Sequence, residues 1–206
     1  LINGVFLGVW IILPKYIASD RLKLPITVVS SLLTWAILAL LSLIIAREVT
    51  GGTISEMTLG MIGLVLLAIL AIMFNLSNRA APKGLNKVPI IILSIRGIAA
   101  GLAIAACLVL AEIGLPFVAG LASAFPAIFL TSMVALWLSQ GPQVPQGAAA
   151  PMMLGGASVS VYALLAMWSL PSFDIFIGSI IAWFGAVGLW TIPAFLLLRK
   201  HRLGID

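Results

Sequence analysis

Between Leu121 and Gly156 the sequence reads LASAFPAIFLTSMVALWLSQGPQVPQGAAAPMMLGG. The run has no ionisable side chain, yet it holds Pro126, Pro142, Pro145 and Pro151, three glutamines and a Gly-Gly pair. A soluble domain carries roughly 25% charged residues. This chain of 206 residues carries 8%, against 63% hydrophobic, with a mean hydropathy of +1.26. One core cannot take in that much apolar surface, so lipid is the expected solvent for most of it. The expected class is all-α: a polytopic transmembrane helical bundle, with residues 1–206 as a single transmembrane domain.

Apolar runs bounded by charge, Pro or Gly predict seven spans, at 1–16, 25–47, 55–76, 88–113, 115–139, 147–169 and 174–198. A bilayer-crossing helix needs about 20 residues, and each run but the first is that long. The chain opens at Leu1 inside an apolar run, which predicts further sequence upstream. No basic segment precedes that run, so it reads as a span rather than a signal peptide.

Seven spans also sort the charges. Lys15, Arg21, Lys23, Arg79, Lys83, Lys87, Arg199, Lys200 and Arg202 fall on one side; Arg47, with Glu48, Glu56, Glu112 and Asp174, falls on the other. Lys and Arg collect in cytoplasmic loops. The predicted localisation is integral membrane, multi-pass, with a cytoplasmic C-terminus; the sequence does not say which membrane.

The formal net charge of +5 follows from those loops and the tail, so nucleic acid is not an expected partner. Cys107 is the single cysteine and His201 the single histidine, which excludes an intrachain disulfide and a His-rich metal centre. There is no HExxH, Cys cluster, P-loop or pair of intramembrane carboxylates, and no intramembrane His or Lys to serve as a base. No enzyme activity, catalytic residue, metal or cofactor is expected.

SLLTW (Ser31–Trp35) in the second run and SIIAW (Ser179–Trp183) in the last resemble each other. Each follows a run with Trp shortly before Pro, Trp10 with Pro14 and Trp168 with Pro171. The two copies would run in opposite directions, giving an inverted repeat of the kind secondary transporters use for alternating access. The same residues also suit ordinary helix packing.

The uncharged run supplies most of the candidate substrate-binding residues. Pro126 is expected in the middle of the fifth span, where it would free the Ala122 carbonyl, with Ser123, Thr131 and Ser132 compensating. It is either a packing kink or part of a cavity wall. Gln140, Gln143 and Gln146, three residues apart with prolines between, predict an extended segment: a neutral turn, or a polar entrance whose amides bind solute without a buried charge. Pro151 is expected in the first turn of the sixth span, Gly155 and Gly156 admit a close neighbour, and Ser158 and Ser160 add hydroxyls. Arg96 stands roughly 10 Å into the fourth span at 1.5 Å per residue, with no acid at matching depth. It is a functional-site candidate or an arginine that snorkels to the interface.

The stretches AGLASAFPAIFLTSMVALWLSQG and APMMLGGASVSVYALL resemble the small GlpM-like polytopic membrane proteins, with a small-residue helix start, a central Pro, a Gln-Gly turn and a Gly-containing helix. The resemblance covers mainly residues 88–198. It implies a multispan membrane protein and transfers no activity or site residue. Together these features predict a transporter-like or permease-like protein for a small solute, or else a non-catalytic subunit or scaffold in a larger membrane complex. The expected partners are the lipid bilayer, a small-molecule solute, and membrane proteins or further copies of the chain.

Overall fold

The computed structural model describes residues 1–50, 55–78, 81, 90–114 and 125–203. At 46–50, 92–93, 96, 99–100, 103–104, 107–108, 110–111 and 201–203 it describes the course of the backbone alone. Among the described residues the chain is helical, without strands.

Helix α1 (Ile2–Ile12) is apolar apart from Asn3, and such a helix is expected to be enclosed. Phe6, Leu7, Trp10 and Ile11 are indeed fully buried. It ends in a 3-10 turn, Leu13–Lys15, closed by the Tyr16 N–H on the Leu13 carbonyl. α2 (Asp20–Thr50) begins ahead of Pro25, the expected start of the second span, and so holds that proline inside the helix. The Ser19 carbonyl accepts from Leu22 and Lys23. Asp20 stands at the positive end of the helix dipole and pairs with Lys23 at 2.6 Å. α3 (Glu56–Ser77) is capped by Ser55, whose hydroxyl accepts from the Thr58 N–H.

α4 (Ile90–Glu112) packs on α5 (Ala127–Gln140). α6 runs Gln143–Ser172 and α7 Ile175–Ala186; a π-helical turn, Val187–Thr191, leads into α8 (Ile192–Leu203). Asp174, read from sequence only as an external acid, caps α7: its Oδ1 accepts from Phe176 (2.7 Å) and Ile177 (3.1 Å). The π-turn has a local cause. Pro193 cannot donate and its ring crowds the carbonyl four residues back, and the helix answers by pairing the Ile192 N–H with the Val187 carbonyl five residues away.

Four of these stretches are long and apolar enough to cross a membrane: Asp20–Ile45, Glu56–Ser77, Gln143–Ser172 and Ile175–Lys200. Ile2–Lys15 and Ala127–Gln140 are shorter apolar helices. All six lie among the described residues. The expected loop with Arg79, Lys83 and Lys87 lies outside them, as do residues 115–124 and the side chains of Arg47, Glu48, Cys107, His201 and Arg202.

The chain forms two compact units. One comprises Leu1, Glu48–Ala80 and Ala150–Asp206. In it α6 is the middle element. Gly60 of α3 lies under Leu164, and Asn75 of α3 bonds Ala150. Residues ascending along α3 thus meet residues descending along α6, so the two helices are antiparallel. α6 also meets α7. A Cβ on Gly178 would stand 3.0 Å from the Ser169 carbonyl oxygen and 3.1 Å from the Leu170 Cα. Gly178, Ala182 and Ala186, four residues apart, are the buried positions of α7, and small residues at that spacing let helix backbones approach closely. The Ser169 hydroxyl uses the approach to donate to the Gly178 carbonyl at 2.8 Å.

The other unit comprises Ile2–Arg47 and Ala81–Ala149. Trp10 meets Trp137 edge-on at 6.0 Å between ring centroids, and Trp35 meets Phe125 at 5.1 Å. Both α1 and α2 therefore lie against the segment that carries α5. The paired tryptophans of the suggested sequence repeat differ in surroundings: Trp10 is buried and Trp168 exposed, and Trp35 is half-buried and Trp183 exposed.

Candidate functional site

The uncharged hairpin is more regular than its sequence predicts. Pro126 is not inside a helix. It sits fully buried as the N-cap of α5, with φ −80° and ψ 42°. This near-γ-turn geometry brings the Ala127 N–H to the Phe125 carbonyl at 2.8 Å, and the Pro126 carbonyl takes the first helical bond from Leu130. A proline needs no N–H partner, so a helix start satisfies it better than the interior expected from sequence. The glutamine segment is not extended either. Gln140 ends α5, and only Gly141 and Pro142 separate it from Gln143, the first residue of α6. Gly141 makes the reversal possible with φ +84°, a conformation that costs other residues a Cβ clash. Gln143 is exposed and Gln146 half-buried on the first turn.

Because α6 begins at Gln143, Pro145 occupies its first turn and Pro151 lies well inside it. Pro151 has no N–H to give the carbonyl of Gly147. Ser158 is half-buried and donates its hydroxyl to the Gly155 carbonyl of its own helix at 2.7 Å; Ser160 is half-buried two residues on. Gly155 is exposed, with open space around it. The close-packed glycine is Gly147, where an added Cβ would lie 2.5 Å from the backbone N and Cα of Ala81. Ser123 and the side chain of Arg96 lie outside the described residues. Of the other sequence candidates, Pro126, Gln140 and Gln143 belong to one compact unit and Ser158 and Ser160 to the other.

Within each unit the packing also singles out polar residues that the sequence did not. In the unit built around α6, Asn75 is 2% exposed. Its Nδ2 donates to the Ala71 carbonyl of α3 (2.7 Å) and to the Ala150 carbonyl of α6 (2.8 Å). Four residues along α6, the Leu154 carbonyl accepts from Trp190 Nε1 at 2.8 Å. Two neighbouring elements, α3 and the π-turn, thus each grip α6 by a backbone carbonyl beside Pro151. With both amide hydrogens used, the orientation of Asn75 is fixed, and its Oδ1 has no protein donor among the described residues. Nothing in the sequence of α3 beyond a lone Asn in an apolar run marks this position.

In the other unit, α2 is inside out. Thr27 and Ser31 are 0% exposed and Ala39 is 2%, whereas Val29, Leu33, Ile37 and Leu40 are 55–60% exposed. Ser31 donates to its own helix at Val28, but Thr27 Oγ1 has no hydrogen-bond partner among the described residues. The same holds for Trp35 Nε1 on α2 and for Asn3 Oδ1 and Trp10 Nε1 on α1. Thr27, Ser31, Trp35 and Ala39 follow one i, i+4 row, and Asn3 and Trp10 are two turns apart on one face of α1. Nothing in the sequence marks this row as the one that faces inward.

Compared with protein-family models, curated proteins and solved structures, the chain has no match. The residues themselves set the chemistry available. Among those described, every buried polar side chain is neutral: Thr27, Ser31, Asn75, Ser132 and Ser169.

Proposed function

We propose that the chain is an integral membrane protein of permease-like type, passing a small uncharged solute. The observation that carries this is the inverted burial of α2. In water a helix buries its large apolar residues and exposes its polar ones; α2 does the reverse, as suits lipid outside and a polar path inside. The neutral interior sets the charge class of the solute, because an unpaired buried charge costs several kcal/mol. The interruptions at Pro126, Pro151 and the π-turn support the same reading: irregular backbone at membrane depth is tolerated where protein or a water-filled path satisfies it. The test is flux of labelled mannitol, glycerol and urea into liposomes holding the purified protein. Protein-dependent flux of a neutral solute is the expected result; a correctly inserted protein that passes none of them would remove the permease reading.

The seven-span topology with a cytoplasmic C-terminus belongs to the same proposal. Antiparallel α3 and α6 support it, since an even number of crossings must separate them, and α4 and α5 supply two. With cysteines placed one at a time, Glu56→Cys is expected to label from outside, and Lys83→Cys and Lys200→Cys from the cytoplasm. Labelling of positions 56 and 83 from the same side would end the seven-span count. The inverted repeat forms no part of the proposal, given the unlike surroundings of its paired tryptophans.

A scaffold role is the second reading, favoured by one observation. Gly97 and Gly101 of α4 are exposed, four residues apart, with open space around both, a spacing that suits contact with a further helix.

A further inference from the structure

We infer that the inner faces of α1 and α2 form a binding site for a small polyhydroxylated solute, with Thr27 Oγ1, Trp10 Nε1, Trp35 Nε1 and Asn3 Oδ1 as its hydrogen-bonding groups. The inference rests on the permease reading and adds the residues and the solute class.

More than nine in ten buried polar groups in native proteins have a partner, and each exception calls for an explanation. Here four such atoms without a protein partner fall on two helices of one compact unit. Thr27 and Trp10 are fully buried, so their desolvation is complete. Packing alone does not account for them: Val in place of Thr27 would fill the same volume without an unsatisfied hydroxyl.

The chemistry of the four atoms selects the ligand. Two indole N–H groups require acceptors, the Asn3 carbonyl oxygen requires a donor, and the Thr27 hydroxyl can be either. A solute hydroxyl is donor and acceptor at once, so a row of hydroxyls can answer all four in any order. A carboxylate or an ammonium could answer only one kind, and no charged side chain is buried among the described residues to balance it. The aromatic edges at Trp10–Trp137 and Trp35–Phe125 offer ring surface to the C–H faces of a polyol, which urea lacks. The groups are also strung out rather than focused on a point. Asn3 and Trp10 are about 10 Å apart along α1, and Thr27 and Trp35 about 12 Å along α2, at 1.5 Å per residue. That length suits an extended polyol or its stepwise passage. Because Thr27 and Trp10 are enclosed, occupancy requires the helices around them to part, as the substrate site of a permease does between its occluded and open states.

The full chain in lipid nanodiscs is titrated with mannitol, with urea as the comparison, and read by tryptophan emission, which shifts to the red when an indole N–H gains a hydrogen bond. The expected result is a saturable red shift with mannitol and none with urea. Thr27→Val is expected to weaken mannitol binding roughly three- to tenfold, the loss of one net hydrogen bond, while its thermal midpoint stays level or rises. Trp35→Phe keeps a ring against Phe125, weakens binding by a similar factor and removes part of the shift. A purely structural Thr27 predicts the rise in midpoint with an unchanged titration. The site is overturned if wild-type protein gives no saturable mannitol shift, or if both variants titrate as wild type. Saturable, Thr27-dependent binding without mannitol flux in liposomes would overturn the permease reading and leave the site standing. Flux indifferent to both variants would do the opposite.

Discussion

Gly147→Ala is expected to destabilise the protein, and Gly155→Ala, the same chemical change eight residues along the same helix, to leave it level or more stable. At Gly147 the new methyl would lie 2.5 Å from backbone atoms of Ala81 and 2.9 Å from its Cβ. No flexible side-chain end is there to swing away, so the backbone of one segment must move. Overpacking of this kind costs about 1–3 kcal/mol, and it outweighs the gain of about 1 kcal/mol that Ala brings over Gly in a helix interior. At Gly155 nothing lies within 4 Å, so only the propensity gain applies. Thermal unfolding in detergent, followed by size-exclusion profiles, reads both. Midpoints moving in the same direction would show that the Ala81–Gly147 contact does not limit this helix.

Asn75→Asp is expected to be strongly destabilising. The wild-type amide places two N–H donors against the Ala71 and Ala150 carbonyls at 2.7 and 2.8 Å. A carboxylate there has no donor to offer and faces two carbonyl oxygens, at a position only 2% exposed. An uncompensated buried charge costs roughly 3–5 kcal/mol, which is a large part of the roughly 5–15 kcal/mol by which folded domains are typically stable. Asn75→Leu separates charge from hydrogen bonding. It removes the same two bonds but adds no charge, and it should cost only about 1–3 kcal/mol. If the two variants unfold together, close to wild type, the grip of α3 on α6 is not a stabilising element. Trp190→Phe gives the companion test for the second grip, since it keeps an aromatic ring while removing the bond to Leu154 and part of the indole volume.

Several features are legible in the residues alone. The all-helical class follows from apolar runs that leave the backbone no partner but itself. The break near Pro126, the reversal at Gly141 and the charged ends of the helices also follow from nearby residues, because hydrogen bonding within a helix, the left-handed backbone region and proline's missing N–H are all local. Even here the boundaries moved. Pro126 is the start of a helix rather than its kink, and Pro151 the interior of a helix rather than its start, because α6 runs from Gln143 without regard to where its sequence turns most apolar.

Local chemistry thus accounts for a chain built of helices, for where many of them end, and for the neutrality of the polar residues within them. The direction each helix faces came from packing. Leu, Ile, Val and Ala recur on all sides of α3 and α2, so hydropathy carries almost no phase, and at about 100° per residue the inward azimuth is set by partners far along the chain. That is why Gln143 and Ser158, conspicuous in sequence, proved to be exposed or bonded to their own helix. For the same reason Asn75 and Thr27, polar residues in largely apolar helices, emerged as buried groups only when Ala150 was brought to one and the packed interior to the other.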